Sequence, residues 1–421
     1  MDPIAFVFAA VMLFDFGMHV VAGMLNLKGG EERLPAAFRG LLEHGQYEKS
    51  RAYLKAGTYL DWTANALDLS VLMLFWFGGG FGRLDAWVRG LGLSSITSGI
   101  VYIGVLLAVK SLLSVPFGVY RTFVVEQRFG LNRTSWSTYL ADSFKSLLLV
   151  AGLGTPLLAA VLALFNYAGS NAWWICWLAV TGFMLLIHYI APVWIMPLFN
   201  RFDPLAPGVL RQAIIAYAQK IDFNVEKILT MDGSRRSTKS NAFFTGFGRH
   251  RRIVLYDTLV EAFSVEELIA VLAHEMGHYK MHHIGKMMAV HILQTGLMFY
   301  ILSMAIDCRR LFEAFHVHQF SVYAGLMMFI ILYAPLEGWM EIAVSALSRH
   351  HEYAADRFSI ETTNTKAAMQ AALKKLSIHN LSWLQPHPFY VFLNYSHPPV
   401  LKRVEAIERI VLEHPAPQQY A

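Results

Sequence analysis

Residues 271–283 read VLAHEMGHYKMHH, and within this run His274 and His278 stand four positions apart. On a helix that spacing is close to one turn, so both imidazoles point the same way and can share one metal ion. Zinc accepts such nitrogens in a tetrahedral shell. Glu275 is rotated by about 100° from His274. It borders the metal without having to ligate it, which is the place for a general base acting on water. Gly277 leaves space over that face. The chain holds 17 histidines, so the alternative is three polar residues on an ordinary helix. A catalytic zinc centre also needs a third protein ligand and an open position. Glu352-Tyr-Ala-Ala-Asp356 offers both a ligand in Glu352 and, one turn on, Asp356 to accept a hydrogen bond from a ligand imidazole and fix its tautomer. Small Ala354 and Ala355 would let this helix approach the first one. Taken alone, the fragment reads equally as a solvated Glu and Asp at a helix start.

The elements that must hold these residues are partly legible. Ser264 with Glu267 forms a capping box that opens a helix. Val265, Leu268, Ile269, Leu272 and Met276 recur at helical spacing and predict its buried stripe. Upstream, 208–221 reads as an amphipathic helix, and 227–231, 240–247 and 252–256 as short strands. Gly248-Arg249-His250 is expected to turn the last two into a hairpin.

The rest of the chain is apolar. Of its 421 residues, 55% are hydrophobic and 15% charged, against about 25% charged in an ordinary soluble domain. Mean hydropathy is +0.41. Seven segments are long and apolar enough to cross a bilayer: 3–27, 60–79, 100–120, 145–165, 173–199, 284–306 and 320–347. The second is the weakest, because Asp61 and Asp68 interrupt it. The first is read as a retained span and not a signal peptide, since no Lys or Arg precedes it and no small-residue cleavage site follows.

Lys and Arg crowd alternate loops, which places the N-terminus outside and 200–283 and the C-terminal tail inside. A net charge of +5 therefore points to cytoplasmic loops, and nucleic acid is not an expected partner. Cys176 and Cys308 form no CxxC pair, which excludes a thiolate zinc site; both are expected to be buried thiols. Asp15, Asp68, Lys110, His188, His291 and Glu337 fall in or near spans and should face one another or water.

Five motifs occur in order: Ser240-Asn-Ala-Phe-Phe-Thr-Gly-Phe247, Arg252-Ile-Val-Leu-Tyr-Asp257, His274-Glu-Met-Gly-His278, Glu352-Tyr-Ala-Ala-Asp356 and Ser396-His-Pro-Pro399. Together they resemble the type I CAAX prenyl endopeptidases, integral-membrane zinc metalloproteases, over nearly the whole chain. Smaller HtpX-type membrane proteases share the first-named metal motif but have about half as many spans.

The resemblance implies a mainly α, polytopic protein. Its seven transmembrane helices would ring a water-filled chamber, and a small α+β zinc-protease region would cap the cytoplasmic side. It implies one zinc per chain on His274, His278 and Glu352, with Glu275 as general base and Asp356 behind a ligand. Asn241 and Ala242 would form a substrate-binding edge strand. His397 would donate to the oxyanion, helped by Arg403.

The expected organisation is 1–199 and 284–347 in the membrane, with 200–283 and 348–421 building the protease. The remaining histidines near the motifs, His282, His283, His350 and His351, are expected to be solvated or interfacial. Expected partners are a peptide, prenylated or not, and the bilayer, with a monomer as the expected assembly. The chain is short for a eukaryotic member, with a brief link between the last two spans. That suggests a bacterial inner membrane, or the endoplasmic reticulum if the source is eukaryotic. The alternatives kept open are an HtpX-like quality-control protease and, from another class, a metal-containing channel or transporter.

Overall fold

The computed structural model describes residues 2–29, 34–245 and 252–412. Helix α1 (Pro3–Lys28) starts where the Asp2 carboxylate accepts from the Ile4 amide at 2.7 Å, with Pro3 in the first turn. Helix α2 (His44–Phe77) has 34 residues; at ~1.5 Å each it is longer than a bilayer is thick. The expected span at 60–79 is its distal half, and its proximal half, 44–59, is polar and continues the same helix. A 66° bend leads into α3 (Gly80–Gly90).

Helix α4 (Ser95–Tyr120) runs on into a π-helical stretch, Arg121–Glu126. Helices α5 (Trp136–Leu149) and α6 (Thr155–Tyr167) are likewise joined through a π-helical stretch, Val150–Gly154. Helix α7 (Ala172–Ile190) ends in a third, Ala191–Ile195, before the short α8 (Met196–Phe199).

Next comes the small mixed region. Strand β1 (Phe202–Pro204), α9 (Val209–Lys220), β2 (Lys227–Met231), β3 (Ala242–Thr245), β4 (Arg252–Tyr256), α10 (Asp257–Ala262) and α11 (Val265–Lys280) follow in sequence. The sheet order is β1-β2-β4-β3, with β2 and β4 parallel and β3 antiparallel to β4. β3 is thus an edge strand. The expected turn at 248–250 between β3 and β4 lies outside the described residues.

The chain then returns through α12 (His283–Ala305), a short α13 (Arg309–Ala314) and α14 (Val322–Thr363). It finishes with α15 (Lys366–His379), α16 (Pro388–Asn394) and α17 (Val400–Arg409). α14 is one continuous helix of 42 residues. It carries both an apolar span and the Glu352–Asp356 turn, so the two are joined without a break in the helix.

Among the described residues, six helical stretches can cross a membrane by length and composition, or seven when the bent α2–α3 pair is one span. Two hydrophobic cores are the largest among the described residues. One joins α1, α2, α3, α4, α6, α7, α12, α13 and α14 around Trp76, Phe81, Tyr102 and Phe315. The other packs α9, β3, β4 and α11 around Ile214, Ile253, Leu255 and Leu272. The sequence reading took both cysteines as buried; Cys176 is, but Cys308 is exposed at the start of α13.

Candidate active site

α11 opens on the expected capping box: Ser264 Oγ accepts from the Glu267 amide at 3.3 Å, and Glu267 Oε2 accepts from the Ser264 amide at 2.8 Å. Lys375 of α15 donates to the same Glu267 oxygen at 2.7 Å, which balances a buried carboxylate. The buried face is wider than the expected stripe. Leu268, Leu272 and Met276 are buried, and so are Ala270, Val271 and Ala273, while Val265 and Ile269 are only half-buried. The reason is that both α14 and α15 pack on this helix.

In the last four turns of α14 the buried positions are His351, Glu352, Ala355, Asp356, Ser359 and Ile360, a helical stripe facing α11. Small residues bring the two helices together. Ser359 Oγ donates to the Ala270 carbonyl at 2.7 Å, and a Cβ on Gly277 would stand 3.0 Å from the Phe358 ring. Gly277 therefore serves helix packing, where the sequence suggested open space over the metal face.

This packing brings His274, His278 and Glu352 into one cluster, with a possible ligand atom from each within 4.8 Å of the others. The two Nε2 atoms face each other at 3.1 Å. Glu352 Oε2 is 3.4 Å from His274 Nε2, and Oε1 is 3.2 Å from His278 Nε2. Glu352 is only 4% exposed, and its Oε2 is buried without a hydrogen bond. Two opposed imidazole nitrogens and a buried carboxylate are a donor set that fits a tetrahedral cation.

The groups behind these three are equally ordered. His274 Nδ1 meets Asp356 Oδ1 at 2.8 Å, which leaves Nε2 as the outward nitrogen. Arg403, from α17, grips Asp356 with Nε at 2.8 Å and Nη2 at 2.5 Å, and its Nη1 reaches Glu352 Oε2 at 3.2 Å. Once His274 is neutral, as a metal ligand must be, two buried carboxylates against one guanidinium leave net negative charge, suited to a divalent ion. Burial and Arg403 both depress the His274 imidazole, but hydrogen bonds to Asp356 and Glu352 outweigh them and lift its pKa to about 9. Burial pushes the Glu275 carboxyl above its ordinary value, against the pull of both histidines.

His397 stands at the open side. Its Nε2 is 3.3 Å from Glu352 Oε1, its Nδ1 is 3.0 Å from Ser396 Oγ, and its side chain is 65% exposed. Arg349 of α14 donates to the Tyr395 carbonyl and so holds the chain that leads to it.

Asn241 and Ala242 lie at the start of β3, which packs beside α11. The Tyr256 amide donates to the Asn241 carbonyl at 3.0 Å. By antiparallel alternation Ala242 and Phe244 turn their backbone groups away from β4, toward the sheet's free edge. There the Ala242 amide is held by Asn241 Oδ1 at 2.9 Å.

Sequence reasoning missed two sets of residues. Lys239 contacts Tyr53 and Glu126, each at 3.2 Å. Arg236 contacts Asp142 at 2.8 Å and Asn200 at 2.9 Å. These two cations tie the approach to β3 to α2, α5, the π-helical end of α4 and the end of α8. Isolated basic residues gave no signal of that.

His283 and His351 were read as solvated or interfacial and are instead 4% and 5% exposed, stacked on each other at 3.9 Å. The reversal between α11 and α12, with His282 in the left-handed region at φ 56°, folds His283 inward. No helical spacing crosses such a break, so the pattern was hidden.

Comparison with known proteins agrees with this geometry. Residues 24–201 match the family model described as CAAX prenyl protease N-terminal, five membrane helices. Residues 204–411 match peptidase family M48. CAAX prenyl protease 1 of Saccharomyces cerevisiae is 31% identical over 91% of this chain and 90% of its own length. The Arabidopsis thaliana CAAX prenyl protease 1 homolog is 33% identical over 89% and 90%. The crystal structure of S. mikatae Ste24p superposes with a TM-score of 0.91 at 30% identity, covering 97% of this chain and 100% of that one.

Proposed function

This chain belongs to the M48 metallopeptidases of the CAAX prenyl protease type, and from that premise we propose that it is a zinc endopeptidase cutting prenylated CAAX-type peptides near their C-terminus. The observation that carries the proposal is the convergence of His274, His278 and Glu352 beside Glu275. One zinc ion per chain would sit on those three side chains, where it would polarise the scissile carbonyl and make water more acidic.

The protein's own groups do the rest. Glu275 takes a proton from water and returns it to the leaving amine. Its partial desolvation makes it a stronger base than a solvated carboxylate. His397, on the exposed side of the cluster, donates to the oxygen that gains charge. Asp356 holds His274 with Nε2 outward, and Arg403 neutralises the carboxylates that would otherwise repel each other. An extended peptide adds to the free edge of β3 by backbone pairing at Ala242, displacing the Asn241 side chain from the Ala242 amide.

In this reading 1–199 and 284–347 form seven spans around a water-filled chamber, and 200–283 with 348–421 form the protease on its cytoplasmic side. The ion pairs Lys110–Asp68 and Arg121–Asp61, which join α2 to the Ser95–Glu126 stretch and are exposed, support a chamber, because charges facing lipid would be costly. The short link between α12 and α14 supports a bacterial inner membrane, and the folded unit needs no second copy to complete its site.

The test is to purify the protein in detergent, count zinc per chain, and offer matched farnesylated and unmodified CAAX peptides. Cleavage of the farnesylated peptide, with release of its last three residues, is the expected result. Zinc-loaded protein that cuts neither peptide would overturn the substrate assignment and favour general membrane-protein quality control.

A further inference from the structure

We propose that His283 is the positioning residue of the second metal ligand, His278, and that it acts by accepting a hydrogen bond from it. The two ligand imidazoles are held in different ways. His274 is backed by a carboxylate, Asp356, at 2.8 Å. His278 is backed by another imidazole: its Nδ1 lies 3.0 Å from His283 Nδ1.

Since His278 presents Nε2 to His274 and Glu352, its Nδ1 carries the proton and donates it. His283 Nδ1 therefore accepts, and the His283 proton sits on Nε2. A neutral acceptor fixes the ligand's orientation and tautomer without adding negative charge to a cluster that already holds Glu352 and Asp356.

The His283 ring is itself fixed. It is 4% exposed and stacks on His351 at 3.9 Å with the planes 9° apart. His351 directly precedes Glu352 on α14, and His283 is the first residue of α12. Three elements thus meet at this ring: the motif helix through His278, the ligand-bearing α14 through His351, and a membrane helix through the backbone of His283. The left-handed residue His282 makes that meeting possible, because it stands between the end of α11 and the start of α12 and reverses the chain so that His283 folds back toward His278. The geometry of the metal centre is in this way tied to the point where the chain enters the membrane.

The inference rests on the metal-site reading above, and its test separates the two. Zinc affinity is measured by chelator competition on the full-length protein in detergent, with the absorption spectrum of the cobalt-substituted protein as a second readout. The proteins compared are the wild type, His283→Leu and His283→Asn. Leu fills the space but accepts no hydrogen bond, whereas the Asn amide oxygen stands close to the place of Nδ1.

His283→Leu should weaken zinc binding about 10- to 100-fold and change the cobalt spectrum. His283→Asn should stay within about threefold of wild type with the cobalt bands nearly unmoved. Affinity of His283→Leu equal to wild type, or of His283→Asn as weak as His283→Leu, would overturn the proposal. If His283→Leu does not fold, a loss of more than about tenfold in His283→Asn overturns it alone. A wild-type protein that binds no zinc would instead defeat the metal-site reading itself.

Discussion

The membrane helices and the protease region hold their charged groups in opposite ways. In the spans, Lys110 and Asp68 pair with side chains 66% and 35% exposed, and Arg121 and Asp61 with 43% and 56%. At the candidate metal site His274, Glu352, Asp356 and Arg403 are 7%, 5%, 3% and 11% exposed, and each contacts at least two of the others. The first arrangement needs a medium other than protein around it. The second excludes the medium and replaces it with fixed partners. A protease inside a membrane needs both, since water has to reach the site while the groups that activate it stay desolvated.

The strongest break of this contrast is Glu275→Gln. It removes the proposed base while leaving the proposed ligands, so cleavage should fall about 10²- to 10⁴-fold with zinc content unchanged. A Gln variant with more than a tenth of wild-type turnover would end the general-base role.

Removing one cation from each region compares them directly. Arg403→Leu strands the buried Asp356 and Glu352, and thermal unfolding of the metal-free protein should show a loss of about 3–5 kcal/mol. Lys110→Met strands Asp68 where the surroundings are wet, and should cost less than about 1 kcal/mol. Lys110→Met as damaging as Arg403→Leu would place Asp68 against lipid and contradict a water-filled interior.

A smaller, graded effect comes from proton competition. The metal-free His274 keeps its proton up to about pH 9, and a metal must displace that proton to bind. Raising the pH removes the competitor, so zinc affinity should rise roughly tenfold per pH unit between about pH 7 and 9 and then level off. Calorimetry in buffers of different ionisation enthalpy should find one proton released per ion in that window. Affinity independent of pH there would mean that Asp356 and Glu352 do not hold a proton on His274.

The site was legible in the sequence where one regular element carried the pattern. His274, Glu275 and His278 share one helix, and Glu352 and Asp356 share another, so spacing alone placed each set on a face. The capping box and a short strand at 240–247 were readable for the same reason, because their signals are local; the edge position of Asn241 and Ala242 came only from the family resemblance. Contacts made across chain breaks were not readable. His283 reaches His278 only after the left-handed turn at His282. Arg403 reaches Asp356 through the docking of α17 on α14, and Arg236 and Lys239 reach membrane helices far off in sequence. α2 was underestimated because hydropathy sees only its apolar half, whereas hydrogen bonding continues the helix through the polar residues 44–59.

The account stands on Glu352 completing the cage begun by the two imidazoles, and Glu352→Gln tests that most directly. Zinc per chain is measured on wild type and variant after both are equilibrated against the same chelator. The expected result is about one zinc on the wild type and almost none on the variant, with the variant's fold retained. A Glu352→Gln protein that keeps its full complement of zinc would show that the third ligand lies elsewhere, and the assignment of the site would fail.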